Sequence, residues 1–177
     1  TQGTDYFDEV VFACHSNQAL ALLGDPTPQE VELLSAIRYC SNEVVLHTDT
    51  TLLPRKRLAW SSWNVQVDGN VAQQPSLTYN MNILQNLQSR NTWCVTLNNT
   101  AAIRQECIHG VYHYEHPVFT RSAIKAQERW SEINGSRQTW YCGAWWRNGF
   151  HEDGVWSARR VAQALIEQQN RQLALAV

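Results

Sequence analysis

No apolar run in this chain approaches the roughly 20 residues needed to span a bilayer, and its opening, TQGTDYFDEV, has no basic stretch leading into an apolar one. A membrane span is not expected. Basic runs are equally scarce. Only Arg55-Lys56-Arg57 stands out, the net charge is -2 and the pI is about 6.3, so nucleic acid is not an expected partner. The five cysteines (Cys14, Cys40, Cys94, Cys107 and Cys142) are scattered, odd in number and without a C-x-x-C pair. They read as reduced thiols acting as small hydrophobes, which fits a soluble cytoplasmic protein. Neither a G-x-S-x-G elbow nor a G-x-G-x-x-G fingerprint is present. The first absence argues against a serine hydrolase, and the second removes the segment that would bind a dinucleotide pyrophosphate. His109, His113 and His116 are the densest histidines, but on a strand His109 and His113 stand about 13 to 14 Å apart at roughly 3.4 Å per residue. That is too far to ligate one ion, and no metal is expected. Repeats, linkers and low-complexity segments are missing too.

What is present is enough for a core. The chain has 177 residues, of which 44% are hydrophobic and 17% charged, so a globular fold is expected. Val10 to Cys14 is a short unbroken apolar run, the pattern of a parallel strand buried on both faces. Residues 18–23 suggest a short helix. At Thr27-Pro28-Gln29-Glu30 the sequence predicts a helix start, with Thr27 as N-cap, Pro28 at the first helical position and Glu30 closing a capping box. That helix is expected to bury Val31, Leu34 and Ile37.

From about Asn42 to Glu115 the pattern changes to strands at 43–47, 58–67, 76–82, 92–97 and 106–114, rich in β-branched and aromatic residues. Asp68-Gly69 signals a tight turn. Short connections favour an antiparallel sheet, and Leu77, Tyr79 and Met81 alternating with Thr78, Asn80 and Asn82 predict one wetter face. Trp60 and Trp63, three apart in one expected strand, should point to opposite faces. After Pro117, Thr120 or Ser122 can cap a helix with Ile124, Trp130 and Ile133 on one side and Gly135 as its stop. A strand at 138–142 and a helix from Glu152 or Asp153 to Asn170 complete the chain.

The expected fold is therefore α+β. Residues 1–38 and 136–177 read as part of a parallel α/β layer, and 39–135 as an antiparallel domain. Too few strand–helix units are present for a whole parallel layer, so the chain reads as a fragment of a longer protein.

The stretch from Thr139 to Ala164, TWYCGAWWRNGFHEDGVWSARRVAQA, carries the clearest functional signal. An apolar strand ends at a glycine, turns, and enters a helix with acidic residues at its start. A helix N-terminus offers unpaired N–H groups and partial positive charge. Gly149 and Gly154 would let a polar cofactor approach that backbone closely. Trp145, Trp146 and Phe150, on the turn, are candidates for the wall of a substrate cavity.

Four segments together, FDEVVFACHSNQALALL, VVLHTDTTLLPRKRLAWSSWN, HPVF with AQERWSEINGSRQTWYCGAW, and GFHEDGVWSARRVAQAL, resemble the C-terminal half of flavin-containing amine oxidase-like proteins, in particular a bacterial set of predicted NAD/FAD-binding proteins. The resemblance implies an antiparallel substrate-domain sheet with helices, joined to the terminal strand and helix of a Rossmann-type FAD layer. It implies that the whole protein is an FAD-dependent oxidoreductase that oxidises a C–N or C–C bond of a small-molecule substrate by hydride transfer to flavin. Cofactor contacts would then fall at Gly143, Gly149, Asp153, Gly154 and Val155. Ala144 replaces the acidic residue that many relatives carry after the strand glycine, and no lysine matches the one some amine oxidases place near the flavin. No catalytic side chain is assigned. Without the pyrophosphate segment this fragment is not expected to hold FAD alone. The competing expectation is a non-enzymatic module that uses its eight tryptophans to bind a partner or to form a homodimer.

Overall fold

The computed structural model describes residues 3–67 and 76–175. The Asp68-Gly69 turn lies outside the described residues. In chain order the elements are strand β1 (Val10–Phe12), helices α1 (Ser16–Leu22) and α2 (Pro28–Ala36), strands β2 (Arg38–His47), β3 (Trp63–Gln66) and β4 (Ser76–Asn80), and helix α3 (Met81–Leu84). Strands β5 (Cys94–Leu97) and β6 (Ile108–Val118), helix α4 (Arg121–Glu128), strand β7 (Thr139–Tyr141) and helix α5 (His151–Leu175) follow. The protein is α+β. Two compact units divide it, one of Thr1–Cys40 with Pro117–Val177 and one of Ser41–His116. The middle unit is narrower than the 39–135 read from the sequence. Ala123, Ala126, Trp130 and Ile133, from α4 and the turn after it, join the core of the first unit.

In the first unit β1 and β7 pair in parallel, Val10 beside Thr139, Val11 beside Trp140 and Phe12 beside Tyr141. The strand expected to be buried on both faces is shorter and more open than that: Val10 and Val11 are 39% and 45% exposed. Among the described residues β7 is its one sheet partner, so the cover that a wider parallel sheet would supply is absent.

Helix α2 starts as its sequence dictates. Thr27 Oγ1 accepts from the Glu30 N–H at 3.2 Å, and a Glu30 carboxylate oxygen accepts from the Thr27 N–H at 2.7 Å. Its buried side is the expected one at Leu34 and Ile37 but not at Val31. Leu33, Leu34 and Ile37 are buried, whereas Val31 is 43% exposed. The buried stripe runs through Glu30, because the Tyr141 hydroxyl donates to the Glu30 carboxylate at 2.6 Å and makes its burial tolerable. Burial pushes the Glu30 carboxyl upward, but the bonds from Tyr141 and Thr27, with Arg137 nearby, more than offset that and leave it below the usual carboxylate range. Helix α4 behaves similarly. Thr120 caps it, Trp130 and Ile133 are buried, and Ile124 is exposed while Ala123 and Ala126 face the core.

The second unit is a five-stranded sheet in the order β3-β4-β5-β2-β6, antiparallel as expected. Its alternation is real, but the buried face is the polar one. Ser76, Thr78 and Asn80 of β4 are buried, and Leu77 and Tyr79 are only half-buried. Register explains the inversion: Thr78 lies beside Thr96 and Asn80 beside Cys94, while Thr96 and Cys94 lie beside Val45 and His47. His47, Thr96 and Thr78 bond to one another across the three strands, which satisfies them under cover, while the Ser76 hydroxyl on the same face is buried without a partner among the described residues. The opposite face carries Leu77, Tyr79, Leu97, Val95 and Leu46, all half-buried.

Two further expectations are corrected. Residues 58–67 are not one strand: a 3-10 turn occupies Arg57–Ala59 and β3 begins at Trp63. Trp60 therefore does not alternate with Trp63, and its indole N–H donates to the Pro54 carbonyl at 2.8 Å.

Candidate functional site

The strand–turn–helix connection after β7 is held from several sides. Gly143 N–H donates to the hydroxyl of fully buried Ser157, on α5, at 2.7 Å. The Gln127 amide donates to both the Trp145 and Arg147 carbonyls at 2.7 Å, which clamps the turn to α4. Gly149 has φ +90, a conformation that disfavours any side chain. Asp153 is buried in the first turn of α5, where its carboxylate accepts from the Phe150 N–H at 3.0 Å and lies 3.6 Å from Arg147. It caps the helix. The His151 and Glu152 N–H groups have no acceptor among the described residues, which leaves the helix end open to an anionic or strongly accepting group.

The three glycines of this segment have different reasons to be glycine. At Gly143 a β-carbon would sit 2.6 Å from Trp145 Cδ1 and 3.3 Å from the Cys14 carbonyl, so packing alone forbids it. Gly149 is required by its φ. At Gly154 a β-carbon would lie 3.9 Å from the Ala144 nitrogen and 4.0 Å from its Cβ, which is ordinary van der Waals separation. The protein itself therefore has room for alanine at 154, where glycine weakens a helix.

Of the aromatic candidates, Trp145 and Trp146 are buried, stack with ring centroids 4.3 Å apart, and give their indole N–H groups to the Cys14 and Tyr141 carbonyls at 3.0 and 2.9 Å. Both belong to the first unit's core and do not line an open wall. Phe150 and Val155 are exposed beside the helix start.

A second polar constellation lies inside the antiparallel sheet. His47 Nδ1 accepts from the Asp49 N–H at 3.2 Å, which places the neutral ring's proton on Nε2. Nε2 then donates to Thr96 Oγ1 at 2.7 Å, and Thr96 lies 2.8 Å from Thr78 Oγ1. Burial lowers the His47 pKa and outweighs the opposing effect of Asp49, so the ring stays neutral. Asp49 is fully buried. Desolvation would raise its pKa, but the Arg104 guanidinium and N–H, with the Thr51 N–H and hydroxyl, hold it well below the usual range. Cys94 is pushed up to about 11, first by burial and then by the charge of Asp49, which leaves it a thiol. The network has a buried centre of His47, Asp49, Thr78 and Thr96, while Arg104 and Thr51 at its edge are exposed. It fixes the sheet and offers no nucleophile or base to a ligand.

Sequence reading did not single out the pair of His47 and Asp49, and the H-x-D spacing at a strand end was its one available signal. The three clustered histidines go to separate partners: His109 to the Thr48 hydroxyl, His113 toward Glu43, and His116 to the Asn42 amide. No group of three potential metal ligands occurs among the described residues, and no helix there is long and apolar enough to cross a membrane. The chain matches no family model and no curated protein.

Proposed function

We propose that this chain is the C-terminal, substrate-side part of an FAD-dependent oxidoreductase of the amine oxidase-like kind, with the flavin ring received at the start of α5. The observation that carries the reading is Gly154. A glycine stands in the first turn of a long helix, next to two unpaired N–H groups, where no neighbouring protein atom requires it. Close approach of a flat ligand would require it. The parallel pairing of β1 with β7, leading through Gly143 into α5, supplies the strand–turn–helix setting in which α/β proteins bind such cofactors.

Bound FAD would supply acceptance of a hydride from a C–N or C–C bond. On this reading the His151 and Glu152 N–H groups would offer donors to an accepting group of the flavin, and Gly154 would leave room for its approach. Asp153, bonded to the Phe150 N–H and beside Arg147, holds the helix start, and exposed Val155 and Phe150 would be available to hold the flavin. Adenosine and pyrophosphate contacts would come from protein outside these 177 residues, since the sequence has no G-x-G-x-x-G segment. A tryptophan-based binding module is less well supported, because Trp130, Trp140, Trp145 and Trp146 are all spent in the core.

Spectroscopy tests the proposal. The longer protein should show bound-flavin absorbance as purified or after FAD addition, and its complete absence under both conditions overturns the assignment.

A further inference from the structure

The second unit carries a surface that the flavin reading does not use. Arg55, Lys56 and Arg57 are exposed, and no acidic residue occurs between Asp49 and Asp68, so this stretch holds three positive charges on a chain whose net charge is negative. Among the described residues none of the three is ion-paired with a carboxylate; Arg57 lies over the Trp60 ring at 5.1 Å. Leu58 follows them and is fully exposed, at 103%. A local frame presents it. The Ala59 and Trp60 N–H groups bond to the Lys56 and Arg57 carbonyls, and the Trp60 indole is tied to Pro54, so the turn is pre-formed.

Beside this turn, Trp63 and Val65 share one face of the edge strand β3 and are 47% and 63% exposed. A groove of about 440 Å³ is lined by Arg55, Ser61, Trp63, Val65 and Gln66 among others, which places a cationic and an aromatic residue on the same opening.

Cations next to an exposed leucine and an exposed tryptophan match a membrane interface. Headgroup phosphates attract the cations, the indole suits the headgroup level, and the aliphatic side chain gains by entering the acyl boundary. A nucleic acid would use the charges but leave Leu58 and Val65 in water, and a second copy of this chain would bring three more positive charges against the first three. We propose that the Arg55–Leu58 turn and the Trp63–Val65 edge dock this protein on an anionic lipid surface. The contact is peripheral, and it does not depend on flavin binding.

Vesicle co-sedimentation of the 177-residue chain tests this, with phosphatidylcholine vesicles that contain or lack phosphatidylglycerol. Binding is expected only with the anionic lipid, falling as salt is raised. The triple variant R55Q/K56Q/R57Q should bind about a hundredfold more weakly, from roughly a fivefold effect per cation. L58S should lose about tenfold, and R121Q/K125Q/R171Q, which removes equal charge elsewhere, should bind like the parent. All substituted positions are exposed, and circular dichroism checks that each variant folds. Acyl-chain-brominated lipid should quench the parent's fluorescence more than that of W63F. Equal binding to neutral and anionic vesicles, parent-like binding by the triple variant, or binding to duplex oligonucleotide without binding to vesicles would each overturn the proposal. So would a dimer that buries Trp63 and binds no lipid.

Discussion

Replacing Gly154 with alanine separates a glycine kept for folding from one kept for a ligand. In the folded chain the new methyl group would meet Ala144 at 3.9 to 4.0 Å, so no neighbour has to move. Alanine is favoured over glycine in helices by up to about 1 kcal/mol, partly through the unfolded chain's smaller freedom. Because residue 154 lies in the first turn of α5, the gain should be about 0.5 to 1 kcal/mol. For a chain of this size that corresponds to roughly 1 to 4 °C in Tm. Thermal and urea denaturation followed by circular dichroism would read it. In the longer protein the same substitution should weaken FAD binding by at least about tenfold, or roughly 1.4 kcal/mol, because the methyl group projects where the ring is proposed to lie. Destabilisation of the chain would refute the packing argument. Stabilisation with unchanged FAD affinity would refute the ligand argument and leave Gly154 unexplained.

The contrast is Gly143→Ala, whose methyl group collides with the Trp145 indole in the core; it should destabilise by about 1 to 3 kcal/mol in the same denaturation assay. Tyr141→Phe removes the hydroxyl that solvates the buried Glu30 carboxylate and should cost about 1.5 to 3 kcal/mol by urea titration. Stability should also depend on pH in two windows. His47 has a folded pKa below its unfolded value of about 6.5, so its contribution is complete above that pH and declines as pH falls below it; His47→Gln should flatten this part of the curve. Asp49 also has a lowered folded pKa, so its contribution is present above about pH 4 and is lost on further acidification, a loss that Asp49→Asn should remove from the profile.

Features that depend on neighbouring residues were legible in the chain. The capping box at Thr27 and Glu30 closes within one helical turn, and so does the Thr120 cap of α4. The β-rich middle and its antiparallel pairing also follow from short connections and strand-forming residues. Which side of each element is inside was harder to read. Apolarity pointed to Val31, but Glu30 is buried because Tyr141, distant in sequence, supplies a donor. In the candidate site, the turn glycines and the acidic helix start could be read. That Trp145 and Trp146 fill the core, with their N–H groups on the Cys14 and Tyr141 carbonyls, could not.

By itself, the sequence determined the capped starts of α2 and α4 and the alternation along β4, since caps and strand periodicity act over a few residues. Tertiary structure alone decided that the wetter side of the antiparallel sheet would be its interior. Thr78, Thr96 and His47 become tolerable under cover only when β4, β5 and β2 bring their donors and acceptors into register. The same holds for Asp49, whose charge is sustained in the interior by Arg104, a residue from a different segment. A buried polar group is costly until its partner arrives, and that partner is specified by the fold.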